Sequence, residues 1–104
     1  MDGVTQIIDG IAVKTKWTEF CRDHIIAVEV GTTGYTRGVG HGTKTFFGLW
    51  DASHADLNIH TSQTFKGGDQ NVEILLRGDE ELEGFLGALK FAISVLESQI
   101  EEKR

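Results

Sequence analysis

Apolar and polar residues alternate along much of the chain up to Gly78, and beyond it the apolar positions recur every three or four residues. Alternation predicts strands with one face in a core, whereas the longer period predicts an amphipathic helix. Gln6 to Val13 sets Asp9-Gly10 between two short apolar runs, the pattern of a tight type I′ hairpin. Trp17 and Phe20 follow, spaced by polar residues, and are expected to cover one edge of the core. In the next strand Ile26, Val28 and Val30 share one face, and Ile25, Ala27 and Glu29 the other. Thr43 to Trp50 is rich in aromatic and β-branched residues and predicts a strand, closed by a turn at Asp51-Ala-Ser-His54. Asp56 to His60 predicts a short strand with Leu57 and Ile59 facing inward, and Asn71 to Arg77 the last strand. The polar segment from Thr61 to Asp69 connects them, and the short turn signals favour an antiparallel meander.

Leu82, Phe85, Leu86, Leu89, Ile93, Leu96 and Ile100 form one helical stripe. Gly78 or Asp79 can cap the helix, with Glu80, Glu81 and Glu83 near the positive end of its dipole. A helix over about 79–102 is on the order of 36 Å long, more than a small sheet needs for cover. Ala88, Phe91, Ala92 and Val95 widen its apolar surface. This width predicts a second face for a partner subunit, with Phe91 or Val95 as candidates for a homo-oligomer interface. The fold class expected is α+β: an antiparallel β-sheet of about five strands followed by one long C-terminal α-helix. Residues 1–104 read as a single domain, 1–78 β-rich and 79–104 helical.

Composition narrows the function. The chain is 39% hydrophobic and 25% charged, with a net charge of −6. Those values suit a globular domain and disfavour duplex nucleic acid as a partner, because phosphates repel an acidic surface. No run is long and apolar enough to predict a membrane span. A single cysteine, Cys21, fits a reducing cytoplasm and reads as a packing residue. The four histidines match no compact zinc spacing, so no metal is expected, and no cofactor either. No nucleophile elbow or triad spacing is present, and the paired carboxylates Glu80-Glu81 lie at a helix start, where dipole stabilisation accounts for them. The expectation is therefore a protein that is not an enzyme.

Gly31 to Gly42 holds the candidate chemistry. Five of the thirteen glycines fall within these twelve residues, together with Arg37 and His41, and no carboxylate lies between Glu29 and Asp51. Glycines let a backbone turn left-handed and present successive N–H groups to an anion. The amides of Gly38, Gly40 and Gly42 can donate hydrogen bonds to phosphate oxygens; Arg37 can supply a bidentate fork and His41 a further donor. Tyr35 and Phe46 offer flat faces for a base, and Arg77 can close the pocket if the sheet brings it beside the loop. A long hairpin loop with incidental charges accounts for the same residues. The spacing of Gly38-x-Gly40-x-Gly42 is not a dinucleotide fingerprint, because a strand follows where that motif needs a helix.

The pattern Val30-Gly31-Thr-Thr-Gly34-Tyr35, Gly40-His41-Gly42-x-x-x-Phe46, Arg77-Gly78-Asp79-x-Glu81-Leu82 and Ala88-Leu89-Lys90-Phe91 resembles small proteins of clostridial phages and prophages, among them the anti-Thoeris sponge family. The resemblance spans residues 25–100 and rests on short, glycine-based motifs. It implies a non-catalytic protein in the cytoplasm of an infected bacterial cell. Such a protein sequesters a cyclic nucleotide immune signal of the cyclic ADP-ribose type, and some members also bind cyclic oligonucleotides at a separate site. It also implies a sheet-and-helix fold that assembles through dimers. No site residue is carried over from it. The helix has only Lys90 before Lys103-Arg104, which weighs against a second, polyanionic site there. Two other readings fit the residues: an inhibitor that works by protein interaction, favoured by the acidic charge, and a non-catalytic assembly subunit.

Overall fold

A computed structural model describes residues 2–21, 23–35, 42–61 and 72–102. Six strands precede one helix: β1 (Asp2–Ile8), β2 (Ile11–Phe20), β3 (Ile25–Thr32), β4 (Thr45–Ser53), β5 (Leu57–Thr61), β6 (Val72–Leu76) and α1 (Asp79–Glu102). The first four form one antiparallel sheet in the order β1-β2-β3-β4, and β5 pairs with β6 in a separate two-stranded sheet. The fold is α+β with a long C-terminal helix, but the strands divide into two sheets where a single sheet of about five was expected.

The β1–β2 turn has the predicted form. Asp9 and Gly10 both take positive φ, 52° and 77°, as a type I′ turn requires, and Ile8 pairs with Ile11. Trp17 and Phe20 lie within β2. β4 continues through Asp51 to Ser53, beyond the expected turn, because Ile26 pairs with Asp51 and Ile25 with Ser53 across a register shift. His54, at φ 57°, then turns the chain. Ile59 is exposed, not inward, since the β5–β6 hairpin has no second layer among the described residues to bury that face.

Both faces of β3 are buried. On one, α1 lies over β3 and β2: Val30 packs against Ala92 and Val95, with Phe91 and Leu96 at the margin. On the other, Glu29 accepts hydrogen bonds from Thr15 Oγ1 at 2.6 Å and Gln6 Nε2 at 2.7 Å. These bonds compensate a carboxylate held beneath the β1–β2 hairpin. The hairpin crosses β3 at Gly31, where a Cβ would stand 2.3 Å from the Lys14 carbonyl oxygen and 2.9 Å from Thr15 Cα. Only a residue without a side chain permits that approach.

The helix turns a different face to the sheet from the one its large apolar stripe suggests. Glu81, Gly84, Ala88, Ala92, Val95 and Gln99 are the buried positions, whereas Leu82, Leu86, Leu89 and Ile93 are exposed. The reason is steric. The sheet supplies the bulk through Phe20, Ile26, Val28 and Val30, so the helix must be small where it meets them. A Cβ on Gly87 would lie 2.6 Å from the Phe20 ring, and one on Gly84 3.2 Å from Ile26 Cδ1 and Cys21 Sγ. Phe20 and Phe91 meet edge to face, 6.2 Å between centroids. Val95 is therefore a core residue, which corrects its candidacy for an interface. No helix among the described residues is long and apolar enough to cross a membrane.

Candidate functional site

The glycine-rich run leaves the sheet through a neck built from threonines. Thr33 N donates to Lys44 O, and Lys44 N to Thr33 Oγ1, both at 3.0 Å. Thr43 Oγ1 donates to Gly34 O at 2.9 Å, Gly34 N to Thr32 Oγ1 at 3.1 Å, and the hydroxyls of Thr32 and Thr45 meet at 2.8 Å. Gly34 itself takes φ 84°. Hydroxyls suit this position because each can both donate and accept where the regular ladder ends. Behind the neck, Gln99 of α1 accepts from Thr32 N at 2.7 Å and donates to Lys14 O at 2.9 Å. Its amide bridges β2 and β3 where their pairing stops at Lys16 and Val30.

Tyr35 stands on this neck with 67% of its surface exposed. It borders a hollow of about 210 Å³ whose floor is Leu96 and Ile100, and a second of about 520 Å³ that Glu97 and Glu101 line. Gly42 is half-buried where the run returns to the sheet. Arg37, Gly38, Gly40 and His41 lie outside the described residues.

Phe46 and Arg77 are not brought to Tyr35 within one chain. Phe46 pairs with Gly31, on the sheet face away from α1, whereas the Tyr35 hollow is on the helix side. Arg77 precedes the first turn of α1 and Tyr35 adjoins its last, on the order of 30 Å apart along the helix. Arg77 is held by Asp56, Nη1 to Oδ1 at 3.2 Å, and Lys44 by Asp9 at 3.1 Å. Two cations near the sequence motifs thus have carboxylate partners. Spacing along the chain carries no record of which end of a helix a strand meets, so the sequence could not separate Arg77 from Tyr35.

A second polar cluster, of which the sequence signals only the helix-start carboxylates, lies at the N-terminus of α1. Leu82 N donates to Gly78 O at 3.1 Å, which makes Gly78 the cap and Glu81 the third helical residue. The Glu81 side chain is 3% exposed; its Oε2 accepts from Asp56 N at 3.0 Å and bonds His24 Nδ1 at 2.8 Å. The Asp56 amide, then His24, hold the Glu81 carboxyl below its ordinary range, and the bond to Glu81 holds His24 above its own. Cys21, at φ 75°, donates to Glu80 O at 3.0 Å. Burial, then the Glu80 charge, push its thiol pKa up, opposite to what a nucleophile needs. The cluster joins the β2–β3 turn, the β4–β5 corner and the helix start. Among the described residues no group of His, Cys, Asp and Glu is placed to hold a metal ion. In comparisons with protein-family models, curated proteins and solved structures, none matched the chain.

Proposed function

We propose that this chain is a non-catalytic binding protein that sequesters a cyclic, phosphate-bearing nucleotide of the cyclic ADP-ribose type in the cytoplasm of an infected bacterial cell. The observation that carries this reading is Tyr35: an exposed ring on a hydrogen-bonded neck, above an apolar floor, at the foot of a glycine-rich run. A ring so held is a stacking platform for a base. Glu97 at the rim suits the amino edge of that base and repels phosphate. The phosphate donors in this reading are the sequence candidates: the amides of 38–42, Arg37 and His41. Capture is stoichiometric and leaves the ligand unchanged.

The test is to denature the purified protein by heat, identify the released small molecules by mass spectrometry, and titrate refolded protein with cyclic ADP-ribose isomers and cyclic dinucleotides. Intact ligand recovered in proportion to protein is the expected result. Arg37→Ala weakens binding by about 1.5–3 kcal/mol, the scale of a hydrogen bond to a charged partner. Steady conversion to a linear product, or no binding of any such nucleotide, overturns the reading. A second reading, a protein-interaction or assembly subunit, is favoured by the exposed apolar stripe of α1.

A further inference from the structure

Leu82, Leu86, Leu89 and Ile93 of α1 are 56, 46, 38 and 56% exposed, and Leu96 and Ile100 continue their line. The six follow one another at intervals of 4, 3, 4, 3 and 4, the heptad seam of a helix that pairs with another helix. On β4, Phe47 pairs with Val30 and so shares the helix side of the sheet, yet it is 48% exposed because α1 lies over β3 and β2. The uncovered helix seam and the uncovered edge strand share one side of the sheet. Together these five exposed side chains present on the order of 400–500 Å² of apolar surface, at the upper end of what a monomer leaves to solvent.

We infer that two copies of this chain associate through this face, with their helices antiparallel about a two-fold axis level with residue 91. A second copy is the occupant because the seam is symmetric about that level. Leu82 meets Ile100, Leu86 meets Leu96 and Leu89 meets Ile93, so each large side chain finds another and none faces a charge. Two such surfaces with their polar margins reach the roughly 1,200 Å² at which specific interfaces begin. The helix dipoles favour the antiparallel sense, since each positive helix start then lies beside the negative end of its partner. Side-chain charge adds nothing to that choice, because the first turn of α1 holds Asp79, Glu80 and Glu81 and its last turn is acidic as well. The antiparallel register also carries the partner's Arg77 towards the Tyr35 hollow, which lacks it within one chain. The association itself does not rest on the nucleotide reading.

Light scattering at micromolar concentration should give twice the 11.5 kDa chain mass. Leu86→Glu and Ile93→Glu should each halve it while leaving the circular dichroism of the fold unchanged, since both side chains point to solvent in the single chain. Ser94→Glu, on the same helix outside the seam, should leave the dimer intact. In a Cys21→Ser background, oxidation should join chains carrying both Leu86→Cys and Leu96→Cys but not chains carrying Leu86→Cys alone. A monomeric wild type, or glutamate variants that stay dimeric, overturns the interface. Self-cross-linking of Leu86→Cys alone overturns the antiparallel register.

Discussion

Glu81 Oε2 and His24 Nδ1 stand 2.8 Å apart, one on the first turn of α1 and the other on the β2–β3 turn. The carboxylate is buried, and the imidazole is 43% exposed. Their shifts run in opposite directions, so the pair stabilises the fold over a bounded pH window. His24 is raised, so its contribution is complete below its ordinary value of 6.5 and is lost as pH rises through the raised one. Glu81 is lowered, so its contribution is present above 4.5 and is lost as pH falls through the lowered value. Urea midpoints measured across pH should therefore be highest between these limits and fall on both sides. Glu81→Gln should lower the midpoint and flatten both limbs; a profile parallel to wild type would remove the pair from the account.

Gly31→Ala should destabilise the chain by about 3 kcal/mol or prevent folding, the upper range for overpacking, because the clash is with backbone that cannot rotate away. Gly3→Ala is the control. Its Cβ would meet Thr15 O at an ordinary 3.7 Å, and its effect should stay within about 0.5 kcal/mol. Denaturant unfolding of the two variants gives the comparison.

Gln99→Leu keeps most of the side-chain volume but leaves Thr32 N–H and Lys14 C=O without the amide that satisfies them. The expected loss is about 2–3 kcal/mol, given roughly 1–3 for each buried group left unsatisfied. Thermal unfolding should show it as a fall of the order of 10 °C for a domain of this size. A midpoint equal to wild type would mean that other groups replace the amide.

Tyr35→Ala separates the proposed site from the fold. An exposed ring contributes little to stability, so the unfolding midpoint should stay within about 0.5 kcal/mol of wild type. Nucleotide affinity should drop by about 1–3 kcal/mol, the worth of one base stacked on an aromatic ring. Calorimetric titration reads the second quantity, and unchanged affinity would move the base elsewhere.

Local chemistry was legible in the chain, and packing between elements was not. Asp9-Gly10 announced its turn because only certain residues accept positive φ at both positions. Asp79–Glu102 announced its helix because a change of period is a local signal. The buried helix face is not legible in the sequence because hydrophobic size marks what is apolar, while the contact with Phe20 and Ile26 selects what is small: Gly84, Gly87, Ala88 and Ala92. Gln99 gave no signal at all, since a lone polar residue near a helix end is ordinary until its partners 67 and 85 positions away are known. For the candidate site, Tyr35 and the neck could be found from the run of threonines and glycines. The separation of Phe46 and Arg77 from Tyr35 depends on strand faces and helix direction.

The order of the sheet has a consequence for synthesis. Each of the first four strands pairs with the next in sequence, so a chain emerging from a ribosome can zip β1 to β4 as each strand appears. That nascent sheet carries a notch between Lys14 and Thr32 and a bare face over Val28 and Val30. Both stay open until the helix has been made as far as residue 99. The meander can form early, but it is sealed late, and a chain stalled in the middle of α1 exposes the surface most prone to stick to its neighbours.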